Sequence, residues 1–252
     1  MIQVPLLTDA LLTGRDDTFI DHQHLERPVH RAVIEAWQQL ASAARAVGFD
    51  PAIASGFRNY QRQLQIWNAK AGGERVLLDA EGQPLERRSL SDWQLAQAIL
   101  RWSALPGASR HHWGTDIDVY DRAAVAADYV VQLTPAEVAD DGPFGAFHRW
   151  LDQRIASGDS YGFFRPYAED SGGIAPERWH LSYAPMALYY QRQLTPERLW
   201  TALDAPGLAL RSCVQQHWPE IFERFVWVAP ALYPLECRAR FVPVSASGAS
   251  TS

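Results

Sequence analysis

Cysteine is scarce in this chain, with only Cys213 and Cys237 among 252 residues. Two isolated thiols cannot form a disulfide framework, and both are expected to remain free thiols. Long apolar runs are missing too. No segment approaches the roughly 20 unbroken apolar residues of a membrane-spanning helix, so no transmembrane segment is expected. Positive charge is neither in excess nor clustered. The formal net charge of −6 argues against a nucleic-acid-binding surface, and no polybasic or amphipathic stretch offers a membrane anchor. The first ten residues lack the basic start, apolar stretch and small-residue cleavage site of a secretory leader, which makes the cytoplasm the default expectation. Internal repeats and long linkers are absent. What remains is a chain with 47% hydrophobic residues, long enough to bury one sizeable core.

Periodicity and capping signals outline that core. A helix is expected over 29–47, entered through Pro28 and stopped by Gly48. A short strand at 51–54 runs into Ser55-Gly56-Phe57-Arg58, and a second helix over 60–70 ends at Ala71-Gly72-Gly73. Residues 71–90 read as an exposed connection that could form a flap, and 90–100 as a helix with Ser91 as its N-cap. Residues 115–120 alternate as a strand does, with Asp116 and Asp118 on one face and Ile117 and Val119 on the other. Thr134 starts a capped helix, 144–156 is amphipathic, and 161–164 is a turn into a buried aromatic segment. In 179–183, His180 and Ser182 share a face. Helical pieces follow at 186–193, 196–203 and 208–218; residues 222–228 fit strand or helix, and 244–252 are small, polar and expected to fray. The pattern predicts a single α+β domain with a small antiparallel sheet flanked by helices.

Two stretches carry chemistry. Ser109-Arg110-His111-His112-Trp113-Gly114-Thr115-Asp116-Ile117-Asp118 gathers imidazoles and carboxylates about a glycine, and Glu177-Arg178-Trp179-His180 supplies one more of each. A catalytic zinc site takes three protein ligands and leaves one position open. His111, Asp118 and His180 are the candidates. On a straight strand His111 and Asp118 would lie roughly 23 Å apart on opposite faces, and on a straight helix about 10 Å apart, so a bend must fall between them. Gly114 has the backbone freedom to make it. Glu177 need not be a ligand: a carboxylate there can take a proton from an attacking water and hand it to a leaving amine. His112 is expected to point away, and His22 and His24 to sit in a solvated loop.

These residues carry a family resemblance. Ser109-x-His111-x-x-Gly114-x-Asp116-x-Asp118, followed by Glu177-x-Trp179-His180, resembles the paired signature of the zinc D-alanyl-D-alanine carboxypeptidases of the VanY, vancomycin-resistance type. That group belongs with lysostaphin-type peptidases and the hedgehog signalling domain. Upstream, Ser55-Gly56-Phe57-Arg58-Asn59-Tyr60 with Gln63 is similar to the family's Ser-Gly-Tyr-Arg-Ser-Tyr segment and its following glutamine. The resemblance spans roughly residues 28–190. It implies a hedgehog/D,D-peptidase-like fold and Zn2+ held by His111, Asp118 and His180. It further implies Glu177 as the base, and Arg58 binding the free carboxylate of a peptidoglycan-derived peptide with help from Gln63 and Ser109. A guanidinium suits the last role, because it matches a carboxylate bidentately. Two positions depart from the family: Arg178 replaces the usual proline, and Asp116 stands where a small residue is preferred.

The expected organisation is an N-terminal extension over 1–27, a zinc peptidase domain over 28–190 and a helical C-terminal extension over 191–252. The expected activity is removal of a C-terminal D-alanine from peptidoglycan stem peptides, as a D,D- or L,D-carboxypeptidase. A D-Ala-D-Ala dipeptidase, a cell-wall endopeptidase and a non-catalytic zinc-containing binding module are the alternatives. The family implies a periplasmic or cell-wall location, against the cytoplasmic default. The sequence leaves oligomeric state open.

Overall fold

A computed structural model describes residues 6–79, 82–203 and 207–239. In chain order the elements are helix α1 (Asp9–Leu12), strands β1 (Ile20–Asp21) and β2 (Val29–His30), helix α2 (Ile34–Arg45), strand β3 (Pro51–Ser55) and helix α3 (Tyr60–Gly72). Strands β4 (Leu77–Leu78) and β5 (Pro84–Leu85), helix α4 (Asp92–Trp102), strand β6 (Asp116–Asp121), and helices α5 (Pro135–Val138) and α6 (Gly145–Ala156) follow. Strands β7 (Phe163–Phe164) and β8 (His180–Tyr183) complete the strands. Helices α7 (Ala184–Gln191), α8 (Pro196–Leu203), α9 (Arg211–Gln216), α10 (Trp218–Ile221) and α11 (Leu235–Ala239) follow. The fold is α+β, as expected.

The organising layer is an antiparallel sheet in the order β3-β6-β8-β7. Its alternation sorts side chains by face. Ile117, Val119, Leu181 and Phe163 pack beneath α2 and α6 with Trp37, Leu40, Phe147 and Leu151. The intervening residues of β6 and β8, Asp116, Asp118, His180 and Ser182, are turned to the opposite side by the period of the pleat. A second, larger core joins α3 and α4 to the C-terminal helices through residues such as Trp67, Trp113, Tyr190, Trp218 and Tyr233.

Local chemistry explains most helix ends. Ser91 and Gln94 form a reciprocal capping box on α4, Asn59 caps α3 through the Arg62 N–H, and α3 stops at Gly73 in the left-handed conformation. Elsewhere the structure corrects the sequence reading. The helix expected over 29–47 begins only at Ile34, after a 3₁₀ turn over Arg31–Val33. Val29 and His30 instead pair with Asp21 and Ile20 as a strand, so Pro28 precedes a strand and not a helix. The 71–90 connection contains the β4–β5 hairpin. Leu77 is buried in the larger core, which fixes the hairpin at its β4 end. The 208–218 piece divides into α9 and α10, broken at His217 before Pro219, which lacks the N–H a continuous helix would need there. Residues 222–226 form a π-helical turn, and 244–252 lie outside the described residues. Cys213 and Cys237 form no disulfide. Among the described residues no helix is long and apolar enough to cross a membrane.

Candidate metal centre and substrate groove

The sheet register builds half of the site. Asp118 of β6 is the direct cross-strand partner of His180 on β8, and Asp116 is the partner of Ser182. Directly opposed residues hold their Cβ atoms about 4.5–5.5 Å apart, so the pairing alone brings carboxylate and imidazole together. His111 arrives from a 3₁₀ turn, Arg110–Trp113, which ends at Gly114 with φ +66°. Any Cβ at Gly114 would fall 2.7 Å from the His30 backbone nitrogen, so this bend admits only glycine. The turn delivers His111 Nε2 to 3.4 Å from Asp118 Oδ2, and His180 Nδ1 lies 3.2 Å from Asp118 Oδ1. One ligand atom from each of His111, Asp118 and His180 falls within 4.8 Å of the others, and all three residues are buried.

Hydrogen bonds set which ring atoms face the centre. His111 Nδ1 donates to the Gly56 carbonyl at 2.9 Å, leaving Nε2 with its lone pair toward Asp118. His180 Nε2 donates to Asp116 Oδ1 at 2.9 Å, leaving Nδ1 inward. Burial holds His111 down at about 4, so it is neutral and able to ligate near neutral pH. For His180, burial lowers the value, but the carboxylates of Asp116, Asp118 and Glu177 outweigh it and raise it well above the ordinary range.

The fit to a cation rests on orphaned atoms. His180 Nδ1 and Asp118 Oδ1 are buried without a hydrogen-bond partner. Glu177 Oε2 is also close, 3.3 Å from the same Nδ1. Two carboxylates and the His111 lone pair converge about His180 Nδ1, and the raised value of that imidazole reflects a buried space that favours positive charge. Nitrogen and carboxylate donors of this kind suit a borderline-soft divalent ion.

Asp116, to which the sequence alone assigns no role, orients His180. It also pairs with Arg110 Nε at 2.8 Å and accepts from Thr115 Oγ1 at 2.7 Å and Ser182 Oγ at 3.1 Å. Sequence reasoning misses Arg110, although an arginine six positions before an unassigned aspartate in one motif is a usable hint. It is 3% exposed and spends its remaining donors on Ser182, Gln191 and Tyr233. His112 points away from the centre. Its Nε2 accepts the Gly107 N–H, and its Nδ1 donates to the Arg58 carbonyl, which pins that residue's backbone. His22 and His24 sit on the exposed β1–β2 connection, against Asp17 and Asp21.

Glu177 reaches the centre through a turn in which the His180 N–H bonds the Glu177 carbonyl at 3.0 Å. Burial pushes its carboxyl above the usual range, offset in part by His180 and Arg58. Arg178 accounts for the missing proline: its guanidinium bonds Asp152, Asp140 and the Val138 carbonyl, stapling the turn to α5 and α6. A groove of about 340 Å³ is lined by the three candidate ligands together with Glu177, Ser109 and Arg58. Arg58 is braced by Gln63 Oε1 at 2.9 Å and Ser55 Oγ at 3.0 Å, which leaves three of its five N–H groups for a ligand. Gln63 does not line the groove. It is fully buried, and its amide nitrogen is spent on Ser103 Oγ and the Ala104 carbonyl, so any effect on substrate passes through Arg58.

A buried His/Asp/His cluster beside a raised carboxyl and a braced arginine defines a metallohydrolase type of centre on an α+β scaffold. The chain belongs to the VanY family, described as D-alanyl-D-alanine carboxypeptidase, whose model matches residues 26–186. It is therefore a metallopeptidase of the D-alanyl-D-alanine carboxypeptidase type, in a family of peptidoglycan peptidases. Among its relatives is an uncharacterised protein of Haemophilus influenzae, 49% identical over 106 residues, covering 39% of this chain and 70% of that protein. A D-alanyl-D-alanine carboxypeptidase of Enterococcus faecalis is 29% identical over 171 residues, covering 65% of this chain and 53% of that protein. Among solved structures, the vancomycin-resistance D,D-pentapeptidase VanY in complex with Zn(II) is 22% identical, covering 75% of this chain and 93% of that chain, with a TM-score of 0.45. The LdcB LD-carboxypeptidase is 20% identical, covering 76% and 81%, with a TM-score of 0.48.

Proposed function

We propose that the protein is a zinc carboxypeptidase that removes the last residue, a D-alanine, from peptidoglycan stem peptides. The observation that carries the reading is the convergence of His111 Nε2, Asp118 and the orphaned His180 Nδ1 beside Glu177, in one groove with Arg58. His111, Asp118 and His180 would hold the ion. Zinc, when bound, supplies a Lewis acid that acidifies water and polarises a carbonyl.

The chain's own residues supply the rest. Arg58 takes the terminal carboxylate and so admits a peptide by its free end. Ser109 lines the same groove as that arginine and the candidate ligands, where it can meet the peptide. Glu177 accepts the proton of the attacking water on Oε2 and returns it to the nitrogen of the departing amine. A buried carboxyl with a raised value suits both directions of that transfer. Asp116 keeps His180 in the tautomer that ligates through Nδ1. Glu177 also favours an enzyme over a non-catalytic zinc module, because a module that only binds needs no carboxylate in that place.

The test is to incubate the zinc-loaded protein with pentapeptide, tetrapeptide and D-Ala-D-Ala and to identify the products by mass. Release of single D-alanine from a stem peptide is the expected result, and the length accepted separates D,D- from L,D-cleavage. Cleavage of D-Ala-D-Ala alone would make it a dipeptidase. Internal fragments with no free D-alanine would make it an endopeptidase and overturn the proposal.

A further inference from the structure

Of the 23 Lys and Arg residues in the chain, one is a lysine. That lysine, Lys70, lines the groove that holds His111, Glu177 and Arg58. It stands seven residues after Gln63 on α3, two helical turns along the same face, and Gln63 is the residue that braces Arg58. Lys70 is half-buried, and among the described residues it forms no ion pair. Burial, reinforced by Arg75 and Arg58 and opposed by Glu177, holds its ammonium down at about 8.

A chain that otherwise uses arginine for positive charge has thus put its one ammonium where it is partly desolvated and without a counter-ion. An arrangement of that kind is relieved by a ligand's negative charge. Arg75 lines the same groove, and the carboxylates that line it among the described residues are Asp118 and Glu177, which the proposed function places with the metal ion and which form no ion pair with Lys70. Once Arg58 has taken a chain-end carboxylate, Lys70 and Arg75 still face the groove without an acidic partner among the described residues.

We propose that Lys70 and Arg75 form a second anion subsite, so that the groove takes peptides carrying a side-chain carboxylate in addition to the terminal one. The proposal rests on the carboxypeptidase reading for Arg58 and narrows the substrate to acidic peptides. The released D-alanine has no side-chain carboxylate, so the second one belongs to a residue of the peptide that stays behind.

Because Lys70 is the only lysine, its acylation can be followed without interference from other side-chain amines. The probe reaction is acetylation by an N-hydroxysuccinimide ester on the zinc-loaded, full-length Glu177→Gln protein, read by peptide mass spectrometry. Three peptides ending in D-alanine are compared: one with neutral side chains, one with a glutamate-type side chain on the residue before the last, and one with that side chain two residues before the last. An acidic peptide should slow acetylation of Lys70 at least about tenfold at a concentration where the neutral peptide slows it less than about twofold, and the more protective acidic peptide names the source. Equal protection by all three would overturn the proposal, since Lys70 would then only neighbour the chain end. Failure of both acidic peptides to protect, while wild-type protein hydrolyses them, would also overturn it. Protection by an acidic peptide that wild-type protein does not hydrolyse would keep the subsite and remove the carboxypeptidase reading. In turnover, Lys70→Met should collapse the ratio of acidic to neutral kcat/KM toward one, and an unchanged ratio contradicts the subsite.

Discussion

His180 and Asp116 are joined by a 2.9 Å hydrogen bond from Nε2 to Oδ1, and that bond decides which nitrogen of the imidazole is left for a metal. Asp116→Asn retains the shape but loses the charge that favours this tautomer. Zinc affinity, measured by competition with a chromophoric chelator, should fall about 10–100-fold. Asp116→Ala should also destabilise the fold by about 3–5 kcal/mol in urea, because Arg110 would become a buried charge without its partner.

The same network reaches beyond the family-matched region. Arg110 Nη1 bonds both Gln191 Oε1 and Tyr233 Oη at 2.9 Å, and both residues follow the matched 26–186 segment. Tyr233→Phe removes one hydroxyl from this chain of contacts. It should cost about 1–2 kcal/mol of stability and weaken zinc binding by a few fold, and the zinc effect should vanish in an Asp116→Asn background. An equal effect in both backgrounds would disconnect the C-terminal segment from the centre.

Much of the fold and the grouping of His111, Asp118 and His180 in a candidate metal centre are legible in the sequence, and what is not has a common cause. Ser91, Gly73 and Gly114 announce local backbone states, and local states follow from neighbouring residues. The strand at 115–120 and the shared face of His180 and Ser182 follow from period-two alternation. What alternation leaves open is register. Nothing near Asp116 reveals that Ser182 lies opposite it, or that the His180 imidazole comes within its reach. Val29 and His30 fit a helical apolar pattern but are claimed by β1 and by a bond from the His30 N–H to the Gly114 carbonyl, contacts set by distant parts of the chain. The motif groups Gln63 with Arg58 and so suggests a place beside the substrate; its burial, a tertiary property, turns it into a brace.

That brace can be tested separately from the arginine it holds. Arg58→Ala should reduce kcat/KM by about 100-fold, mainly through KM, since it removes a charge-assisted contact to the substrate's end. Gln63→Leu should shift KM in the same direction by a smaller factor, with zinc affinity unchanged. A fall in kcat alone would mean that Gln63 acts elsewhere.

Buried histidines outside the centre predict a pH dependence of stability. Burial holds His30 at about 4 and, with Arg165 and Arg178 adding to it, His148 at about 2, both below the ordinary 6.5. As pH falls the unfolded chain therefore takes up these protons first. The stability they contribute is complete above about 6.5 and is lost as pH drops toward their folded values. In urea unfolding at pH 7 and pH 5, His148→Gln should lose about 1–2 kcal/mol less than wild type across that interval. An identical loss in both proteins would contradict the buried neutral state.

The central claim is that His111, Asp118 and His180 hold a catalytic zinc ion and that Glu177 moves the proton. The most direct measurement follows D-alanine release from a stem peptide by wild-type and Glu177→Gln protein, with zinc content determined on the same samples. The prediction is one zinc per chain in both, release by wild type that stops on chelation and returns with zinc, and a loss of about 10²–10⁴-fold in Glu177→Gln. Undiminished release by zinc-loaded Glu177→Gln, or by metal-free wild type, would contradict it.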